Sequence, residues 1–170
     1  AFPVEKRFLP RKPNERIEQA MTSAILKALN EEKGSILAFL PGAGEIERTK
    51  KLLEEKPLGH NVSINPLYGM MNFADQDKAI KPTKKEERKV VLATAIAETS
   101  LTIEGIRIVI DSGLSRNAFY DTKSGMPGIE TKMLSKASAD QRMGRAGRLE
   151  AGVCYRLWSE AADRSLIPFT

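Results

Sequence analysis

Cysteine and histidine are nearly missing from this chain, with Cys154 and His60 the only examples among 170 residues. A single thiol can form no disulfide within the chain, and one thiol with one imidazole cannot furnish a Cys- or His-rich metal site. His60 follows Pro57 and Gly59 in a polar stretch, has no partner for general-base work, and reads as a solvated loop residue. No apolar run approaches the ~20 residues needed to cross a bilayer. The opening AFPVEKRFLP lacks both the apolar stretch and the cleavage pattern of a secretory signal, so a cytoplasmic location is expected. There is no internal repeat, no low-complexity block, and no GxxxxGK[ST] string to cradle the β- and γ-phosphates of a nucleotide. No Asp-rich strand end looks ready to hold Mg²⁺, and no metal ligands are assigned.

What remains is the composition of a globular domain, 41% hydrophobic and 29% charged. The length suits one well-cored unit and is too short for two ordinary ones. A formal net charge of +5 points to polyanionic partners, of which nucleic acid is the usual one.

Residues 1–13 alternate loosely and carry three prolines, so they are expected to be an extended leading segment or linker, with the domain proper at 14–170. Asn14 can cap a helix whose apolar positions are Ile17, Met21, Ala24 and Ala28, stopped at Gly34. Apolar runs at 35–40, 90–94, 107–111 and 153–158 read as strands, and NVSINPLYG (61–69) as a strand running into a turn. Helices are expected at 45–55, 74–80 and 138–147, and a hairpin between Gly113 and Ser135. Strands that are nearly all apolar and alternate with helices imply a parallel sheet covered on both faces. Ligands in such sheets gather at the carboxyl ends of the strands, where PGAG (41–44), ATAIAETS (93–100) and DSG (111–113) fall.

The sharpest string is QRMGRAGR at 141–148. In a helix, Gln141, Arg145 and Arg148 would form one stripe, and planar, permanently charged guanidiniums suit phosphate oxygens. Arg142 projects off that stripe and suits a structural role or one facing nucleic acid. Two glycines within four residues cost a helix about 1 kcal/mol each, so Gly144 and Gly147 need a packing or functional reason. The plain alternative is a solvated basic helix end that only grips nucleic-acid backbone. The break after the 90–94 strand, with Thr94, Glu98, Thr99, Ser100 and Thr102, offers hydroxyls and N–H groups to phosphate oxygens, or merely caps a helix. Gly42 and Gly44 make a turn that backbone phosphate could approach, or an everyday turn. Arginines set for phosphate in a chain without a P-loop suggest action across an interface, in a site built by another domain.

FLPGAGEIE (39–47), PLYG (66–69), ATAIAETSLTIEGIRIVIDSG (93–113) and QRMGRAGR resemble, in order and spacing, motifs of the second motor domain of DEAH/RHA helicases, including motifs IV, V and VI. The resemblance covers Val4 to Trp158, and its wording is most like the bacterial HrpB branch. It implies a RecA-like three-layer α/β/α fold with a mostly parallel sheet and an inserted β-hairpin that helps separate strands. Gln141 would position the attacking water, with Arg145 and Arg148 as arginine fingers. Ser100 would sense the γ-phosphate, Thr102 and Glu104 would lie near ribose and water, and Ile80 would offer a face to the base. Thr94 and the turn at Gly42 would touch the RNA backbone. The implied cofactors are ATP and Mg²⁺, held mainly by an N-terminal RecA-like domain of the same full-length chain. The implied partner is single-stranded RNA, or DNA, with no membrane.

The full-length protein would then be an ATP-dependent helicase, and this domain alone would be inactive. The family pattern is departed from at Ala95 (usually Asn), Glu104 (usually Asp) and Ile80 (often aromatic). Rival readings are a non-motor nucleic-acid-binding module and a DNA-directed helicase of the same superfamily.

Overall fold

Successive side chains of a strand point to opposite faces, so a run apolar at every position needs cover on both sides. The computed structural model, described for residues 1–169, provides it. β1 (Val4–Phe8), β2 (Ser35–Phe39), β3 (Val62–Leu67), β4 (Arg88–Ala93), β5 (Ile106–Asp111) and β8 (Gly152–Arg156) form one sheet. Its order is β1-β8-β5-β2-β4-β3, and every neighbouring pair is parallel.

Ile36, Ala38, Val90, Leu92, Ile108 and Ile110 turn to one face, beneath α1 (Ile17–Glu31) and α2 (Ala43–Glu54). Leu37, Phe39, Val91, Ala93 and Val109 turn to the other, beneath α3 (Phe73–Ile80), α4 (Ile96–Thr99) and α5 (Lys136–Gly144). Each large apolar side chain taken out of water in this way contributes about 1.5–3 kcal/mol, which makes the central strands the rigid base of the domain. The expected three-layer α/β/α architecture is present, and the chain continues after β8 into α6 (Glu160–Arg164).

The expected hairpin is β6 (Leu114–Asp121) with β7 (Met126–Met133), antiparallel from Leu114↔Met133 to Asp121↔Met126. It is a separate two-stranded sheet.

Three sequence expectations are corrected. Residues 1–13 are not outside the domain, because β1 pairs with β8 from Val4↔Gly152 to Phe8↔Arg156. An edge strand has one partner and tolerates charge, which is why VEKRF lacks the apolar continuity of the central strands. Asn14 does not cap α1. It sits in a turn with φ +64°, a left-handed conformation that asparagine tolerates, and Arg16 precedes the helix. Finally, α5 stops at Gly144 instead of reaching 147, so the motif string is half helix and half turn.

Candidate functional site

The carboxyl edge of the sheet carries the turn at Leu40–Gly42, Thr94 after β4, and the hairpin after β5. A hollow of about 450 Å³ lies there, lined by Ala95, Glu98, Ser115, Ser138 and Gln141. A larger cleft of about 900 Å³ lies elsewhere, lined by Pro82, Thr102, Glu104, Ile106, Arg145 and Arg148. These residues lie on segments returning to the starts of β4, β5 and β8. The expectation that every informative segment meets at the carboxyl edge is therefore only partly met. The chain after α4 runs back down to the beginning of β5 and takes Thr102 and Glu104 with it.

The arginine stripe divides in the same way. Gln141 is exposed on α5 and opens on the hollow, whereas Arg145 and Arg148 line the cleft. Arg148 lies past the end of the helix, so the turn, not helical spacing, carries it there. Gly147 has a packing reason: a Cβ would meet the Phe2 carbonyl oxygen at 2.5 Å, and that oxygen's residue donates its N–H to the Gly147 carbonyl at 2.8 Å. Nothing lies within 4 Å of a Cβ added at Gly144, so no steric demand explains that glycine.

Glu98 joins the two depressions. Its carboxylate accepts from Arg142 Nε at 2.7 Å and from the Ser138 hydroxyl at 2.6 Å, and its backbone carbonyl accepts from Arg145 Nε at 2.7 Å. Arg142 is wholly buried. Its Nη1 donates to Asp111 at 2.7 Å and its Nη2 to the Leu114 carbonyl at 3.2 Å, and the guanidinium stands 4.9 Å from the Phe39 ring centroid. Burial opposes its charge, but Asp111 and Glu98 outweigh that, and its pKa lies above the ordinary arginine value. The structural role anticipated for Arg142 is thus visible, with partners from four elements.

Arg145 is 7% exposed and commits one N–H to Glu98, while the rest of its fork lines the cleft. Burial, followed by the charge of Arg148, pulls its pKa below the ordinary value, although arginine stays protonated at any physiological pH. Two neighbouring guanidiniums, a threonine hydroxyl and open volume form a receptor for an anion with several oxygens. Among the described residues, no group of three or more His, Cys, Asp or Glu is placed to hold a metal ion.

The remaining predicted residues scatter. Ser100 is exposed at the end of α4. Ile80 is half-buried at the end of α3 and packs on the core, so the residue of that segment that lines the cleft is Pro82. Thr94 is half-buried at the carboxyl edge, its N–H donating to the Leu67 carbonyl at 3.2 Å. Gly42 is buried, because Arg116 lies over it: a Cβ there would fall 2.0 Å from Arg116 Nη1. The surface at that turn is a guanidinium and not bare backbone. Sequence reading missed Arg116 and the joining role of Glu98; the first hid in a hairpin of exposed charges, and the second was legible only as part of a polar break.

Residues 17–150 match the model of the helicase conserved C-terminal domain. Over 166 residues the chain is 48% identical to the ATP-dependent RNA helicase HrpB of Escherichia coli (strain K12), covering 97% of this chain and 20% of that protein. It is 38% identical over 170 residues to the pre-mRNA-splicing factor ATP-dependent RNA helicase prp22 of Schizosaccharomyces pombe, covering 97% of this chain and 15% of that protein. A crystal structure of the E. coli DEAH/RHA helicase HrpB superposes with a TM-score of 0.95 at 45% identity, over 99% of this chain and 22% of that one. The chain therefore spans about a fifth or less of the length of these relatives.

Proposed function

The chain belongs to the family of helicase conserved C-terminal domains, and from that premise we propose that it is the second RecA-like motor domain of a DEAH-type, ATP-dependent RNA helicase. The observation that carries the reading is the convergence of Arg145, Arg148, Thr102 and Glu104 on one open cleft. In this proposal the reactive phosphoanhydride and its Mg²⁺ come bound to a first motor domain of the same protein, which faces the cleft.

Arg145 and Arg148 reach into that shared site and neutralise charge building on the transferred phosphate, as arginine fingers do. Glu98 holds Arg145 by its Nε and so aims the fork. Ser100 meets the terminal phosphate, Thr102 and Glu104 stand beside ribose and water, and Pro82 forms the wall toward the base with Ile80 packed behind it. The resemblance assigns the attacking water to Gln141, a turn earlier on α5, which here opens on the hollow and not on the cleft.

On the other edge, Thr94 and the Gly42 turn under Arg116 follow the backbone of single-stranded RNA, so sequence preference is weak. No helix among the described residues is long and apolar enough to cross a membrane, and a cytoplasmic motor is part of this reading.

The test is ATP turnover, with and without single-stranded RNA, by this chain alone, by the full-length parent and by the parent carrying Arg148→Ala. The expected pattern is a silent domain, an RNA-stimulated parent, and a variant slowed by at least about 10³-fold. A variant with parental turnover defeats the finger assignment. It would leave a nucleic-acid-binding module, and stimulation by DNA alone would redirect the proposal to a DNA motor.

A further inference from the structure

A two-stranded ribbon is marginally stable in water on its own, so the direction of β6–β7 must be set where it joins the domain. Among the described residues the ribbon pairs with no other strand, and Tyr120, Met126 and Ile129 stand largely exposed on it. At its base the Leu134 N–H donates to the Gly113 carbonyl at 3.0 Å, which closes the ribbon on itself. Arg116, in the third position of β6, goes further. Its Nη1 and Nη2 donate to the two carboxylate oxygens of Glu45 at 3.1 and 2.6 Å, and its Nε donates to the Thr131 hydroxyl on β7 at 3.0 Å. One planar fork thus holds both strands of the ribbon and the first turn of α2.

The receiving side is equally fixed. Glu45 lies at the N-terminus of α2, where the helix dipole favours a carboxylate. Arg48 stands 3.8 Å from Glu45 and 2.6 Å from Glu18 of α1, so the tie extends to both helices of that face. The Arg116 hydrogen bonds hold the Glu45 carboxyl below its usual range despite partial burial. Gly42 supplies the seat, since any Cβ there would collide with Arg116 Nη1 at 2.0 Å.

We propose that the Arg116–Glu45 pair, seated on Gly42, is the clamp that sets the hairpin against the body of the domain, making Arg116 a positioning residue for strand displacement. The mechanical half of this rests on the motor reading above; the clamp itself rests on the contacts alone.

Both halves are tested in the full-length parent with Arg116→Met, Glu45→Gln, their double variant, and Gly42→Ala. Amide hydrogen exchange across residues 114–133 should quicken about tenfold in each single variant while β2 and β4 stay protected. The double variant should exchange no faster than the singles, because each removes the same interaction. Unchanged exchange in the singles, or additive increases in the double, overturns the clamp. Gly42→Ala should match them in exchange, since an added methyl meets the flexible end of Arg116 at 2.0 Å and the Glu45 carboxylate at 3.2 Å, the two halves of the clamp.

In Glu45→Gln, strands displaced per ATP hydrolysed should fall several-fold while RNA-stimulated turnover holds within about twofold, a split that a purely structural defect would not give. An unchanged displacement ratio in variants with loosened hairpins overturns the positioning role. A parent with no RNA-stimulated turnover fails the motor reading instead, and leaves the exchange result to decide the clamp.

Discussion

Arg142 and Arg148 come from one eight-residue string and have nothing physical in common. Arg142 is wholly buried, and every nitrogen of its guanidinium is engaged, by Glu98, Asp111 and the Leu114 carbonyl. Arg148 is exposed on the wall of an open cleft, beside Arg145. In the buried region the charge is spent inside the protein, tying α4, β5 and β6 to α5. In the cleft it is left available to something that arrives from outside. A phosphate receptor needs free donors on a rigid mount, and the two arginines divide those tasks.

Stability should separate them most sharply. Arg142→Met strands the carboxylates of Glu98 and Asp111 in the interior and should lower unfolding stability by about 3–5 kcal/mol. Urea denaturation of this chain, followed by the fluorescence of the single tryptophan, Trp158, reads it directly. Arg148→Ala in the same assay should shift stability by no more than about 0.5 kcal/mol, as exposed substitutions do. The contrast breaks if Arg148→Ala unfolds the chain or if Arg142→Met leaves the midpoint where it was.

The division was only half legible in the sequence. Period-two burial explains why the central strands could be read: SILAF and VVLA are apolar at every position because both faces are covered. VEKRF could not be read as a strand of the same sheet, since only one edge of it is paired. The arginine string stood out by its spacing, and Arg142 fell off the stripe as expected. Its partners could not be inferred, because Glu98 and Asp111 lie 44 and 31 residues away along the chain. The helix that was meant to align Arg148 with Gln141 ends at Gly144, so the cleft is assembled by a turn whose path no periodicity records. Arg116 reaches Glu45 across 71 residues, a contact of the same illegible kind.

A third cation sits between the two regimes and gives a smaller effect. Lys89 is 1% exposed at the start of β4, and its ammonium donates to the carbonyls of Ala79, at 2.7 Å, and Lys81, closing the end of α3 behind the cleft wall. Burial pushes its pKa down to about 8, against some support from the charge of Glu104. Between pH 8 and the ordinary lysine value near 10.5, the unfolded chain therefore holds a proton that the folded chain has released. The Lys89 contribution to stability rises with pH in that window, by at most about 1.4 kcal/mol per pH unit.

Cys154 works in the opposite direction. Burial raises its thiol from 9.0 to about 12, so above pH 9 the folded chain keeps a proton that the unfolded chain loses, and stability falls. The clean interval is thus pH 8 to 9, where the parent should gain stability relative to Lys89→Met. In Cys154→Ala the urea midpoint itself should keep rising past pH 9, until Tyr155, whose phenol is raised by burial above its ordinary value of 10.0, begins to oppose it. A midpoint that climbs equally in Lys89→Met would assign the titration to another group and return Lys89 to the class of Arg142, a cation whose charge never leaves the interior.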